Sequence, residues 1–196
     1  PKFKNYVINK EILVLIDIGC RYNGYCSDIT RTFSLKGYFN KLQSDLYNIV
    51  LKCFKYACRL LKPNVLYYNI DTQIFKILKE ELILYGLITS DDKADYLTRK
   101  LMPHTIGHTV GLNVHDATRD NFILQKNDIV TIEPGIYFPL SLQNNEGINK
   151  NMYSEIRKSI RCIRIEDTLK IEENGCKSLT NLPIEIDEIN TLINLN

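Results

Sequence analysis

The three histidines of the chain lie close together in sequence, while four acidic residues stand in short apolar runs elsewhere. His104, His108 and His115 fall within twelve residues. The four acids are Asp17, Asp28, Glu133 and Glu166. An ionised carboxylate in an apolar strand is tolerated mainly when it is paired, hydrogen-bonded or bound to a metal. Mostly oxygen ligands with one imidazole suit Mn²⁺, and they also accommodate Zn²⁺, Co²⁺ or Fe²⁺. The residues therefore predict a metal site.

Simpler explanations exist for each residue taken alone. A single acid of this kind is more often a sheet-edge or capping carboxylate, and a lone His108 between Gly107 and Thr109 is more often structural. The joint occurrence favours a metal site. No Glu follows His104, which excludes a His-Glu-x-x-His zinc site. The Gly107-x-x-x-Gly111 spacing is not followed by Lys and Ser or Thr, which excludes a phosphate-binding loop.

Length and composition indicate one globular domain. The chain has 196 residues, of which 44% are hydrophobic, and such values are ordinary for a folded soluble domain. Lys and Arg number 25 against 23 Asp and Glu, so charge gives no reason to expect a nucleic acid or membrane partner. The six cysteines contain no Cys-x-x-Cys pair, and we expect them to be reduced.

Hydrophobic periodicity predicts an α+β fold with a mainly antiparallel sheet. Asn23-Gly24 is a strong two-residue hairpin signal, and Asn69 or Asp71 is available as the N-cap and Gly86 as the C-cap of the second helix. The predicted elements are strands at 11–19 and 25–35, helices at 41–61 and 70–85, a loop at 87–105, strands at 106–114, 128–138 and 160–172, an exposed loop at 143–154, and a closing helix at 184–195.

The hairpin fixes the relative positions of two of the acids. A two-residue turn at Asn23-Gly24 pairs Asp17 with Thr30 and Asp28 with Gly19. Asp17 and Asp28 are then diagonal neighbours on one face, about 7–8 Å apart along the backbone.

The later acids are placed by strand alternation. Arg164 and Glu166 alternate with isoleucines, so both point to one face. Pro134-Gly135 should end the strand directly after Glu133, beside the site.

Five motifs contain the candidate ligands. They are Ile16-Asp17-Ile-Gly, Gly24-Tyr-Cys-Ser-Asp28-Ile-Thr-Arg-Thr-Phe33, Gly107-His108-Thr-Val-Gly-Leu-Asn-Val-His115-Asp116, Thr131-Ile-Glu133-Pro-Gly-Ile-Tyr137 and Ile163-Arg-Ile-Glu166-Asp167. In this order they closely resemble Xaa-Pro aminopeptidase (aminopeptidase P), a member of the metallopeptidase superfamily with the pita-bread fold. His115-Asp116 resembles aminopeptidase P or prolidase rather than methionine aminopeptidase.

The resemblance implies a pita-bread catalytic domain with two divalent metal ions, Mn²⁺ first among the candidates. It implies that Asp17 binds one ion, that His108 and Glu133 bind the other, and that Asp28 and Glu166 bridge the pair. The ions would share a hydroxide that attacks the bond between an N-terminal residue and a penultimate proline.

The resemblance also implies roles in catalysis and substrate binding. Glu133 would act as general base, and His115 would donate a hydrogen bond to the substrate carbonyl as it becomes an oxyanion. His104 and Arg164 would line the site around the proline. Peptides with proline at position 2 are therefore the expected partners.

Family members carry a further active-site His on a strand before the first ligand, and no His precedes Asp17. We therefore expect residues 1–196 to be a pita-bread catalytic domain lacking its N-terminal portion, and a homodimer that forms through regions partly absent here. Two alternatives remain, a prolidase-like Xaa-Pro dipeptidase and a non-catalytic pita-bread binding module. The motifs are compatible with the mitochondrial and with the cytosolic members of the family, so the compartment stays open.

Overall fold

The computed structural model describes residues 9–117 and 121–195. Every strand pairing among them is antiparallel, which confirms the α+β class. The strands are β1 Val14–Ile18, β2 Arg21–Tyr22, β3 Tyr25–Cys26, β4 Ile29–Phe33, β5 Ile129–Ile132, β6 Gly135–Tyr137, β7 Cys162–Arg164, β8 Asp167–Glu172 and β9 Gly175–Ser178. The helices are α1 Lys41–Leu60, α2 Tyr67–Leu84, α3 Ala94–Leu101, α4 Lys150–Ser159 and α5 Ile186–Asn194.

The first hairpin has the predicted register. β1 pairs with β4 and β2 pairs with β3, so that Asp17 lies opposite Thr30. Asn23 and Gly24 have φ values of 49° and 90°, as a turn with two left-handed residues requires. The returning strand is interrupted at residues 27 and 28, so Asp28 lies in a gap between β3 and β4 and not within a strand.

Helix α1 packs against β5, β7 and β9, and α2 packs against α1 and α3. α1 begins with a capping box, because Asn40 and Gln43 each accept a backbone hydrogen bond from the other. α2 starts three residues before the prediction and has no side-chain cap. The two proposed N-caps, Asn69 and Asp71, were wrong: both lie inside the helix, and Asp71 accepts a hydrogen bond from Ile106 N at 2.8 Å instead. Gly86 ends this helix at φ 76°, as predicted.

Three loop and strand predictions were wrong. Residues 87–105 contain α3, which buries Ala94, Leu97, Thr98 and Leu101 at helical spacing. Residues 106–114 form only an isolated bridge with β5, since their backbone follows the sheet edge through bends. α4 begins at Lys150, inside the segment that was predicted to be an exposed loop, with Asn149 as its N-cap.

The two later strand predictions were each too long, and both breaks fall at an acid. Residues 128–138 divide into β5 and β6 at Glu133 and Pro134, and residues 160–172 divide into β7 and β8 at Ile165 and Glu166. The strand β9 was not predicted, whereas the closing helix α5 was. In the part of the chain that the structure describes, no helix has both the length and the apolar character needed to cross a membrane.

Candidate metal centre

Five predicted ligands converge from separate parts of the fold. Asp17 lies in β1, Asp28 precedes β4, His108 follows α3, and Glu133 and Glu166 occupy the two strand breaks. They and His115 form three overlapping groups of three residues whose ligand atoms lie within 4.8 Å of one another. The groups are Asp28–His108–His115, His108–Glu133–Glu166 and Asp17–Asp28–Glu166.

The His108 ring faces two of the carboxylates. Its Nε2 lies 3.5 Å from Asp28 Oδ2 and 3.5 Å from Glu133 Oε1. On the other side of the ring, Nδ1 lies 3.1 Å from Thr109 O. If that contact is a hydrogen bond, Nδ1 carries the proton and Nε2 is the free acceptor. The backbone at Gly107 lies so close to the sheet that a Cβ at this position would be 2.4 Å from Thr131 O. This close approach fixes the position of the neighbouring His108.

Glu166 is the most deeply buried of the four acids, with 1% of its surface exposed. Its Oε2 accepts a bond of 2.6 Å from Thr30 Oγ1, and Arg164 Nε lies 3.8 Å from the same oxygen. Arg164 also donates through NH2 to Asp17. Arg164 and Glu166 therefore face the same site, as strand alternation predicted.

Asp17 is exposed although it stands in an apolar run of the sequence. Its side chain is 52% exposed, while Asp28 and Glu166 are buried and Glu133 is half-buried. The physical reason is that β1 pairs only with β4 among the described residues, so that Ile16 and Ile18 on either side are exposed too.

Burial raises the pKa values of three of the four acids, and repulsion between the carboxylates adds to the shift. Burial raises the pKa of Glu166 to about 8; the Thr30 hydrogen bond lowers it in part, and Glu133 and Asp28 raise it further. Burial and then the Asp17 charge raise the pKa of Asp28. Burial also raises the pKa of Glu133. Ionisation of the three carboxylates is therefore disfavoured in the metal-free site, and a bound cation would favour it.

His104 and Arg164 meet at a residue that sequence reasoning missed. His104 Nε2 lies 2.9 Å from Tyr137 Oη, and Arg164 NH1 donates to the same hydroxyl at 2.9 Å. The His104 and Tyr137 rings are T-shaped with centroids 5.2 Å apart. Tyr137 lies in β6 next to β7, and its place two residues after Gly135 in the Glu133 motif was the available signal.

His115 is exposed and lies beside His108. The two ring centroids are 4.0 Å apart. The bend that carries His115 is held by Asp116, whose carboxylate accepts from Leu112 N at 3.2 Å. Because His115 belongs to one of the three donor groups, its position is compatible with metal binding as well as with a hydrogen bond to substrate.

The donor set fits a pair of divalent ions. Carboxylate oxygens predominate and imidazole supplies the nitrogen, which is the ligand chemistry of Mn²⁺ and of the borderline metals. Asp28, His108 and Glu166 each belong to two of the three groups, and shared carboxylates are the means by which proteins hold two ions close together.

Comparison with known proteins supports the resemblance seen in the motifs. The profile of "Metallopeptidase family M24" matches residues 2–173. The chain is 35% identical over 93% of its length to "Intermediate cleaving peptidase 55, mitochondrial" of Arabidopsis thaliana. It is 34% identical over 86% of its length to the Xaa-Pro aminopeptidase of Escherichia coli. It spans 35% and 37%, respectively, of these relatives.

Solved structures share the fold. Zinc-substituted E. coli aminopeptidase P in complex with product matches with a TM-score of 0.79 and 31% identity, over 93% of this chain and 41% of that one. Icp55 from Saccharomyces cerevisiae bound to the inhibitor apstatin matches with a TM-score of 0.79 and 32% identity, over 94% of this chain and 44% of that one. These neighbours confirm the pita-bread fold, and the chain belongs to metallopeptidase family M24.

Proposed function

We propose that this chain forms the metal-binding part of an Xaa-Pro aminopeptidase, which hydrolyses the bond between an N-terminal residue and a penultimate proline. The observation that carries the proposal is the overlap of three donor groups, which together contain Asp17, Asp28, His108, Glu133, Glu166 and the neighbouring His115. The related enzymes named Xaa-Pro aminopeptidase support the substrate class.

Asp17 is assigned to one ion, His108 and Glu133 to the other, and Asp28 and Glu166 to both. Two divalent ions, when bound, supply Lewis acidity: they lower the pKa of a water molecule and polarise a carbonyl oxygen. Mn²⁺ is the proposed metal, because oxygen ligands predominate.

Glu133 is assigned as general base. Its two oxygens face different partners, Oε1 towards His108 at 3.5 Å and Oε2 towards His104 at 4.0 Å. One oxygen can therefore bind a cation while the other accepts a proton from the attacking water. His115, exposed beside His108, donates a hydrogen bond to the substrate carbonyl as negative charge develops on its oxygen.

His104, Tyr137 and Arg164 form the proposed wall of the proline pocket. A proline in the leaving segment has no N–H to donate, so its recognition depends on ring contacts. The T-shaped pair of His104 and Tyr137 offers such a surface, and the Arg164 guanidinium offers charge-assisted donors for a peptide carbonyl or carboxylate.

We further propose that residues 1–196 constitute only part of the catalytic domain. Large apolar side chains are exposed around the mouth of the site, and a face of this kind normally packs against protein. A further segment of the protein would cover it, and a homodimer would form through that segment. The exposed side chains are Ile16, Ile18, Tyr22, Leu112 and Val114.

A comparison of substrates tests the function in the whole protein. An Xaa-Pro aminopeptidase should release the first residue from Xaa-Pro tripeptides and longer peptides with Mn²⁺ present, and it should not cleave the matched Xaa-Ala peptides. Cleavage restricted to Xaa-Pro dipeptides would favour the prolidase alternative. Metal-free protein that binds a peptide without hydrolysing it, and stays inactive with Mn²⁺, would favour the binding module.

A further inference from the structure

Thr30 contacts the Glu166 carboxylate through its side chain. The residue is fully buried at 0% exposure. Its Oγ1 lies 2.6 Å from Glu166 Oε2 and 3.0 Å from Arg164 Nε. A guanidinium can only donate, so the hydroxyl accepts from Arg164. When Glu166 is ionised, as a metal ligand must be, the hydroxyl directs its own proton to the carboxylate, and the direction of both hydrogen bonds is fixed.

The backbone of Thr30 holds the same partner. Glu166 N donates to Thr30 O at 3.1 Å, and the two residues form an isolated antiparallel bridge where β7 and β8 are interrupted. Thr30 also lies opposite Asp17 in the β1–β4 ladder, and Arg164 donates to Asp17. Thr30, Glu166, Arg164 and Asp17 thus form a closed ring of contacts on one side of the centre.

The Thr30 hydroxyl also separates two opposite charges. Arg164 Nε is 3.8 Å from Glu166 Oε2, too far for a direct hydrogen bond, and the hydroxyl bridges the two groups. Without it, the guanidinium and the carboxylate could close to a direct ion pair. Glu166 belongs to two of the three donor groups, so a rotated carboxylate would change the distances in both.

We propose that Thr30 is a positioning residue for the metal centre. Its hydroxyl orients the Glu166 carboxylate towards the ions and prevents a direct ion pair between Arg164 and Glu166. The inference rests on the proposed function only in that Glu166 is taken as a ligand. Outer partners of metal ligands typically contribute about 10–100-fold in metal affinity, and this is the expected size of the effect.

Thr32 provides a matched control. It lies two residues away in β4 and is equally buried at 0% exposure. Its hydroxyl also contacts Arg164, but through the backbone, donating to Arg164 O at 2.9 Å and accepting from Arg164 N at 3.0 Å. Thr32→Val therefore removes a buried β4 hydroxyl without removing a hydrogen bond to the Glu166 carboxylate.

The experiment measures Mn²⁺ binding by calorimetry, and the melting temperature of the metal-free form, in the whole protein. Thr30→Val should weaken Mn²⁺ binding about 10–100-fold. Thr30→Ser should restore most of the affinity because it keeps the hydroxyl, and Thr32→Val should bind like the wild type even if it melts earlier. If Thr30→Val does not fold, Thr30→Cys against Thr30→Ser gives the same comparison, because a thiol is a weak donor.

Several outcomes would overturn the inference. These are wild-type Mn²⁺ affinity in the folded Thr30→Val variant, an equal loss in Thr32→Val, or no recovery in Thr30→Ser. The proposed function fails separately, if the wild-type protein binds Mn²⁺ but does not cleave Xaa-Pro peptides. In that case the dependence of Mn²⁺ affinity on Thr30 can still be measured.

Discussion

Replacement of His108 and His115, one at a time, separates metal binding from transition-state stabilisation. His108 Nε2 faces two carboxylates at 3.5 Å, whereas His115 is exposed and contacts the His108 ring. We expect His108→Ala to lose metal and, with it, activity, and excess Mn²⁺ should restore part of the loss. We expect His115→Ala to keep its metal and to lose turnover.

The expected magnitudes differ because the two side chains act at different stages. His108 belongs to two of the three donor groups, so its removal should cost more than the roughly 10–100-fold in affinity that follows from loss of an outer partner. His115 is assigned one hydrogen bond that strengthens as charge develops on the carbonyl oxygen. Loss of one such donor lowers kcat about 10²–10³-fold, which corresponds to about 2.7–4 kcal/mol.

The assay combines metal content, melting temperature and kcat for both variants in the whole protein. Val114→Ala is the matched control, because Val114 adjoins His115 and is itself 40% exposed. A purely structural role for His115 would instead lower the melting temperature and leave turnover nearly normal in the folded fraction. The reasoning is refuted if His115→Ala loses as much metal as His108→Ala, since His115 would then be a ligand in the group with Asp28.

Three other predictions concern a bridging ligand, a buried ion pair and the cysteines. Asp28→Ala should reduce Mn²⁺ occupancy at both positions, because Asp28 belongs to two donor groups; titration with two full equivalents bound would contradict this. Arg31→Met should destabilise the fold by about 3–5 kcal/mol, because the buried Asp167, 2.6 Å away, would lose its ion-pair partner and keep only the hydrogen bond from Ser178. Melting should then fall by roughly 6–20 °C, and a fall under ~2 °C would count against the pair. Iodoacetamide should label exposed Cys20 well before Cys53, since burial raises the Cys53 pKa to about 12; equal labelling rates by mass spectrometry would contradict this.

Local signals predicted the parts of the fold whose geometry is local. The Asn23-Gly24 turn fixes the pairing of Asp17 with Thr30 because a two-residue turn leaves no freedom of register. The apolar stripe of α1 is long enough to establish a helical period. For the same reason the diagonal placement of Asp17 and Asp28 followed from sequence, and both acids belong to one donor group.

Long-range packing determined the parts that were missed. α3 has only eight residues in a charged segment, so its apolar positions are too few to distinguish a helix from a loop. Asp71 was wrongly predicted as a cap. Its actual partner, the backbone N–H of Ile106, lies 35 residues away in the chain and could not be recognised from the local sequence. Tyr137 lies in the site because β6 pairs with β7, and this pairing was not predicted from the sequence. The exposure of Asp17 depends on which segments pack against β1. The apolar residues beside Asp17 in the sequence do not determine that packing.

The sequence distances across the centre have a consequence for how the protein matures. Thr30 and Glu166 are 136 residues apart, and Arg164 and Asp17 are 147 residues apart. No early portion of a growing chain therefore contains the complete site, and the closure of such long loops slows folding. Metal loading should follow chain completion and then stabilise the whole native state, by about 2.7 kcal/mol for each site when free metal is 100-fold above its dissociation constant. A bound metal ion would thus indicate that the strands around Glu166 have packed against the first hairpin. A shortage of the ion would then lower the stability of the protein as well as its activity.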